Sequence, residues 1–291
     1  MTEEIPLGIY LDHGSVSAGQ PLQVFASART EGPCVLEVFR LGFYGGAGAR
    51  RILVQQNVRV PAQGWWMPTG AGVRGASTVE YDAATGLLDC RWRPVATLTP
   101  GPDWISGYYL VRLTDPSGAH CMTKFVLRDD EQPGALLVML PRFTHQAYNA
   151  WGGKSLYDYN TTKISFLFGH TRAVKVSFNR PFARTSGLAE CLNHEPQFVR
   201  WVERMGYDVS YCTDADLHRN PDLLQQSRAL LIIGHAEYWT RRMVSHAISA
   251  RDLGTHLAFL GGNDVYWQIR TEADWNGHSD RTVVCYKNAG D

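Results

Sequence analysis

Residues 234 to 239 read Gly-His-Ala-Glu-Tyr-Trp, so an imidazole, His235, stands two positions before a carboxylate, Glu237. The pair comes directly after the apolar run Ala229 to Ile233. An imidazole there can move a proton, or it can simply hold the backbone by a hydrogen bond. Three phenols, Tyr148, Tyr157 and Tyr159, add to an oxygen-rich set in the same half of the chain. Hard oxygen donors favour hard cations. A trivalent iron would drive the proton off a phenol and make it a strong ligand. The plainer readings stand beside this one. The chain has nine Trp and thirteen Tyr, and a tyrosine among so many aromatics is more often packing than ligand. Trp151, Tyr238 and Trp239 read as core or pocket wall, and Arg241 and Arg242 as a solvated helix start.

Other chemistries lack their parts. His-Ala-Glu begins like a zinc deaminase site, but no downstream Pro-Cys-x-x-Cys completes the ligands. Gly153-Lys154-Ser155 looks like the end of a phosphate loop, yet Tyr148 stands where its first glycine is needed. There is no Gly-x-Ser-x-Gly elbow, no Gly-x-Gly-x-x-Gly before a helix and no His-Glu-x-x-His. The six cysteines form no Cys-x-x-Cys pair, which reads as scattered thiols in a reducing cytosol.

The elements that must position these residues fall into two groups. Residues 5 to 130 read as short strands, such as Leu22 to Ala26, Val35 to Leu41, Gly107 to Leu113 and Met122 to Leu127. Gly-Pro and Asp-Pro-Ser-Gly turns punctuate them, which predicts an antiparallel β-sandwich over 1–130. A polar linker, 129 to 134, ends in Pro-Gly. Beyond it, residues 131–291 predict an α/β domain. Ala135 to Leu140, Ala173 to Phe178, Tyr207 to Cys212, Ala229 to Ile233 and His256 to Leu260 read as strands. The helix over Pro196 to Met205 has Phe198, Trp201, Val202 and Met205 on one face. Thr240 caps a second helix that Gly254 ends. Alternating strands and helices argue for a doubly wound parallel sheet. Ligands in such sheets bind beyond the carboxyl ends of the strands. Three of those ends deliver Arg142, His145, Tyr148 and Asn149; His235 and Glu237; and Asn263 and Asp264.

Lys+Arg and Asp+Glu are equal at 28 each, so the charge balance gives no reason to expect nucleic acid or an anionic membrane. The acidic N-terminus lacks a signal-peptide core, and no stretch approaches the ~18 apolar residues of a membrane span. A cytoplasmic protein is expected.

The stretches Gln146 to Tyr157, Gly234 to Trp239 and Phe259 to Trp267 resemble the large (β) subunit of N,N-dimethylformamidase and its relatives. In the front half, Phe39-Arg40-Leu41-Gly42-Phe43-Tyr44-Gly45-Gly46 is similar to the same group. The resemblance implies a β-sandwich followed by a glutamine-amidotransferase-like α/β domain. It implies a single Fe3+ held by Tyr148, a second phenolate (Tyr157, with Tyr159 as its rival) and Glu237. It casts His235 and Asn263 as catalytic residues around that iron. The activity implied is iron-dependent hydrolysis of a small amide or formamide, in a homo-oligomer with a small partner subunit. Relatives continue past the position of Asp291 and add active-site residues there, so an incomplete site is expected. The other expectation is then a non-catalytic binding or scaffold relative.

Overall fold

The computed structural model describes residues 7–66, 73–74, 78–131, 134–159, 172–183 and 192–288. The chain first forms a strand-rich region and then a region of mixed sheets and helices. Of the expected linker, residues 132 and 133 lie outside the described residues.

Two sheets build the first region. One pairs Leu7–Leu11, Leu22–Ala28 and Pro94–Leu98 antiparallel. The other has the order Ser15–Ser17, His120–Arg128, Gly107–Thr114, Gly32–Leu41, Ala49–Val60. Gly107–Thr114 alternates buried and half-buried residues along its second half, the period of a strand with one face inward. Val24, Leu36, Val38, Val111 and Phe125 meet between the sheets. Each such side chain, fully buried, contributes roughly 1.5–3 kcal/mol.

The second region has a four-stranded parallel sheet in the order Val209–Thr213, Leu136–Leu140, Ala229–Gly234, His256–Gly261. Leu136–Leu140 is central and almost wholly buried, which is why its sequence is a continuous apolar run rather than an alternating one. The chain passes from this strand to the neighbour on one side, then returns to the neighbour on the other. The order therefore reverses between Leu136–Leu140 and Ala229–Gly234, the kind of position at which ligands bind in such sheets. A second, mixed sheet has the order Lys175–Ser177, Thr282–Val284, Trp267–Glu272, Tyr238–Thr240. The expected strand Ala173 to Phe178 contributes to this sheet as Lys175–Ser177, paired antiparallel with Thr282–Val284 rather than joined to the parallel sheet.

Helices close the layers. Glu195–Arg204 takes Pro196 in its first turn and buries Val199 and Val202, while Trp201 and Met205 of the expected inward face are exposed. Arg241–Asp252 is capped by Thr240, whose hydroxyl accepts the amide of Met243. Arg241 and Arg242 are exposed, as expected of a solvated helix start. The two regions share one seam. Leu41, Tyr108 and Val126 pack on Val138, Leu140, Tyr211 and Ile233. The Arg40 guanidinium crosses it to Glu203 at 2.7 Å. No helix among the described residues is long and apolar enough to cross a membrane.

Candidate functional site

The switch point gathers four of the expected residues. Tyr148 ends the short helix Arg142–Tyr148, which comes after the central strand. His235 and Glu237 lie directly after Ala229–Gly234. Gly234 adopts φ 75°, which turns the chain out of the sheet. Its partner Gly261 cannot carry a side chain, because a Cβ there would lie 1.7 Å from the Gly234 carbonyl oxygen.

Glu237 is the centre. Its Oε2 accepts the Tyr148 hydroxyl at 2.8 Å and the Tyr157 hydroxyl at 2.6 Å. His235 Nε2 lies 3.0 Å from the same oxygen and 3.0 Å from the Tyr148 hydroxyl. His235 Nδ1 faces the Gly262 carbonyl oxygen at 2.5 Å. A carbonyl only accepts, so Nδ1 carries a proton. The Nε2 contact with Glu237 is a hydrogen bond only when Nε2 also carries a proton and donates it to the carboxylate, since two lone pairs cannot bond. The backbone is pinned as firmly as the side chains. The Thr144 hydroxyl accepts the amides of Glu237 and Tyr238, and the Glu237 carbonyl accepts those of Tyr266 and Trp267. Burial raises the Tyr148 and Tyr157 phenols well above the usual range, and the neighbouring Glu237 carboxylate raises both further. Both therefore stay neutral and act as donors. Lys287 closes one side, its ammonium 3.5 Å from the centre of the Tyr157 ring and 5.0 Å from that of Trp267. Burial lowers its pKa to about 8.

Tyr159 stands apart. It packs on the Tyr157 ring at 5.3 Å and is 73% exposed. Asn263 is exposed at φ 54° on the loop that carries the Gly262 carbonyl. Among the described residues its side chain makes no hydrogen bond to the cluster. Two other residues at the central strand end serve elsewhere. His145 pairs with Glu195 at 2.8 Å, and Asn149 donates to the Pro181 carbonyl. Tyr238 and Trp239 are core, in line with their plainer reading. Sequence reasoning missed Thr144 and Lys287. Thr144 could have been suspected from its place just after the central strand, whereas nothing marked Lys287.

The expected iron centre requires correction. Among the described residues no group of three or more His, Cys, Asp or Glu could hold a metal ion. Among the described residues, the side chains within hydrogen-bond distance of the Glu237 carboxylate are His235, Tyr148 and Tyr157. The Fe3+ cofactor, its ligand set of Tyr148, Tyr157 and Glu237, and iron-dependent hydrolysis are accordingly withdrawn. The three side chains do converge, as hydrogen-bond partners of one carboxylate.

A family description, N,N-dimethylformamidase beta subunit-like, C-terminal, matches residues 35–291. The chain belongs to this family. Its resemblance to an amide-hydrolysing group thus extends over both regions. No curated protein matches the chain. Among solved structures, a cycloisomaltooligosaccharide glucanotransferase from Paenibacillus sp. is 14% identical with a TM-score of 0.25, covering 45% of this chain and 15% of that one. A superoxide reductase (neelaredoxin) from Ignicoccus hospitalis is 11% identical with a TM-score of 0.22, covering 43% of this chain and 81% of that one. Likenesses of this size carry no functional argument.

Proposed function

We propose that this chain is a binding member of its family, in which the Glu237 cluster receives a small amide by hydrogen bonds and the surrounding fold acts as scaffold. The observation that carries the reading is the protonation pattern. Two neutral phenols and an imidazole share one carboxylate oxygen. The Glu237 carboxylate can accept an amide N–H, and a phenol that turns away from it can donate to the amide carbonyl, the two demands of a small amide. The parallel sheet's switch point, where ligands of such folds bind, supports the same place. The domain boundary at 130/131, the glutamine-amidotransferase-like topology and the role of Asn263 belong to this proposal.

A second reading, hydrolysis of an amide C–N bond, draws on family membership and on His235. Its Nδ1, held on the Gly262 carbonyl, aims Nε2 into the cluster, where it can exchange a proton with a water. One experiment separates the two. Formamide is titrated into the protein and monitored by calorimetry, while formate release is measured in parallel. The binding reading expects saturable uptake, weakened at least tenfold in Glu237→Gln, with formate release no faster than in that variant. Release by the wild-type chain that disappears in Glu237→Gln and His235→Gln would overturn it in favour of hydrolysis.

A further inference from the structure

The seam between the two regions holds an unusual concentration of buried positive charge, away from the Glu237 cluster. Two arginines flank the Phe178 ring and a third follows it in the chain. The Arg142 guanidinium lies 3.8 Å from the centre of its ring and that of Arg281 5.8 Å, and Arg180 is two residues further along. Arg180 and Arg281 are 1% and 3% exposed. Among the described residues, none of the three makes an ion pair with a carboxylate.

Their hydrogen bonds go to neutral groups instead. Arg180 donates to the carbonyls of Gln146, Asn149, Trp151 and Lys154. Arg281 donates to the Asn179 side-chain oxygen and the Leu11 carbonyl. Arg180 Nε and Arg281 Nη1 remain without a partner among the described residues. Arg142 makes no hydrogen bond there at all and rests on the Phe178 ring and the backbone of Gly14, where a Cβ would collide with it. Asp89 lies near Arg180 and Arg281, and Asp12 and Asp274 near Arg281, without pairing with them; the carboxyls nearest Arg142 are already committed. Asp214 accepts the amides of Phe143 and Ala215, and burial pushes it up to about 7. Asp216 is held by Thr213, Ser15 and Arg128.

Arg142 and Arg180 line a cavity together with Lys124, His13 and His145. Glu195, the carboxylate behind His145, already pairs with that imidazole. The cavity offers about 30 Å³, about the room of one or two waters and too little for a bulky ligand. Buried cations without counter-ions are costly, and a guanidinium binds a small carboxylate or halide with little loss of order.

We propose that the cavity between Arg142, Arg180 and Lys124 is a binding site for one compact monoanion, of the size of formate or chloride, that neutralises the seam and ties the two regions together. The site stands independently of the Glu237 cluster and of what that cluster binds. The test uses the full chain in a buffer free of small anions, titrated separately with sodium formate and sodium chloride. Heat release and melting temperature are measured together. Saturable one-to-one binding of formate assigns the carboxylate source, and of chloride alone the inorganic source. Arg142→Gln should weaken either at least tenfold. Gly14→Ala, which displaces the same guanidinium without deleting it, should weaken it comparably and covers the case in which Arg142→Gln does not fold. Arg59→Gln, at an exposed arginine, should leave the affinity unchanged. No saturable binding of either anion, or equal losses in Arg59→Gln and Arg142→Gln, would overturn the proposal.

Discussion

Buried charge is handled in opposite ways in the strand-rich region and at the seam behind it. In the strand-rich region, Glu37 is buried, but Arg51 and Arg112 reach it at 3.1 and 2.5 Å from the solvent side. Burial alone would raise its pKa. The hydrogen bonds from Arg112 and Arg51 outweigh that and hold it below the usual carboxylate range. At the seam, Arg180 makes no ion pair among the described residues, and burial, outweighing the nearby Asp89, brings its pKa down to about 9. The difference shows what each charge does. Glu37 is an ion pair with mobile, exposed partners. Arg180 replaces regular secondary structure, because its one planar fork satisfies four carbonyls of the irregular stretch 146–154.

The largest effect should come from breaking that fork. Arg180→Lys keeps the charge but cannot span four carbonyls. Two bonds of 2.8 Å are then lost in a buried setting, for a loss of about 4 kcal/mol in urea unfolding. A loss below about 1 kcal/mol would show that the stretch holds itself.

A middle effect of opposite sign is expected at Asp89, a buried carboxyl that accepts the Ser177 hydroxyl at 2.5 Å. Burial, aided by nearby Asp274, raises its pKa from 3.8 to about 6. The folded protein keeps this proton up to about pH 6, whereas the unfolded chain releases it near 3.8. Stability from this group therefore falls as pH rises through that window. Asp89→Asn should be more stable by about 2 kcal/mol at pH 7.5 and little changed at pH 3.5. Equal behaviour at both values would refute the assignment.

The smallest effect belongs to Glu37→Gln. Its arginine partners are 59% and 39% exposed and can turn to water, so about 1 kcal/mol should be lost. A loss rivalling that of Arg180→Lys would erase the contrast between the regions.

Much of the frame was legible in the sequence because its signals are local. The unbroken apolar run before Pro141 marked a doubly buried strand, and Thr240 marked a cap three residues before the amide it accepts. Gly234, His235 and Glu237 were placed correctly because the carboxyl end of a parallel strand fixes where the next few residues emerge. The features that stayed hidden depend on distant partners. Tyr238 and Trp239 read as core or pocket wall and Thr240 as a helix cap, yet the three form a strand that pairs with Trp267–Glu272. Arg180 and Arg281 look like surface residues by type, and only the closing of the seam buries them. Tyr148 and Tyr157 reach Glu237 from separate stretches of chain, and burial raises both phenols, a property no spacing can display.

The strand His256–Gly261 pairs on one side with Ala229–Gly234 and ends the parallel sheet, with Phe259 and Leu260 about half exposed. Its six residues, His-Leu-Ala-Phe-Leu-Gly, include no lysine, glutamate or proline to discourage a stranger from adding to it. Self-association through that rim would need no unfolding. Losses in handling should therefore track protein concentration more closely than temperature, and one lysine set at Leu260 would be the simplest way to make the solution keep.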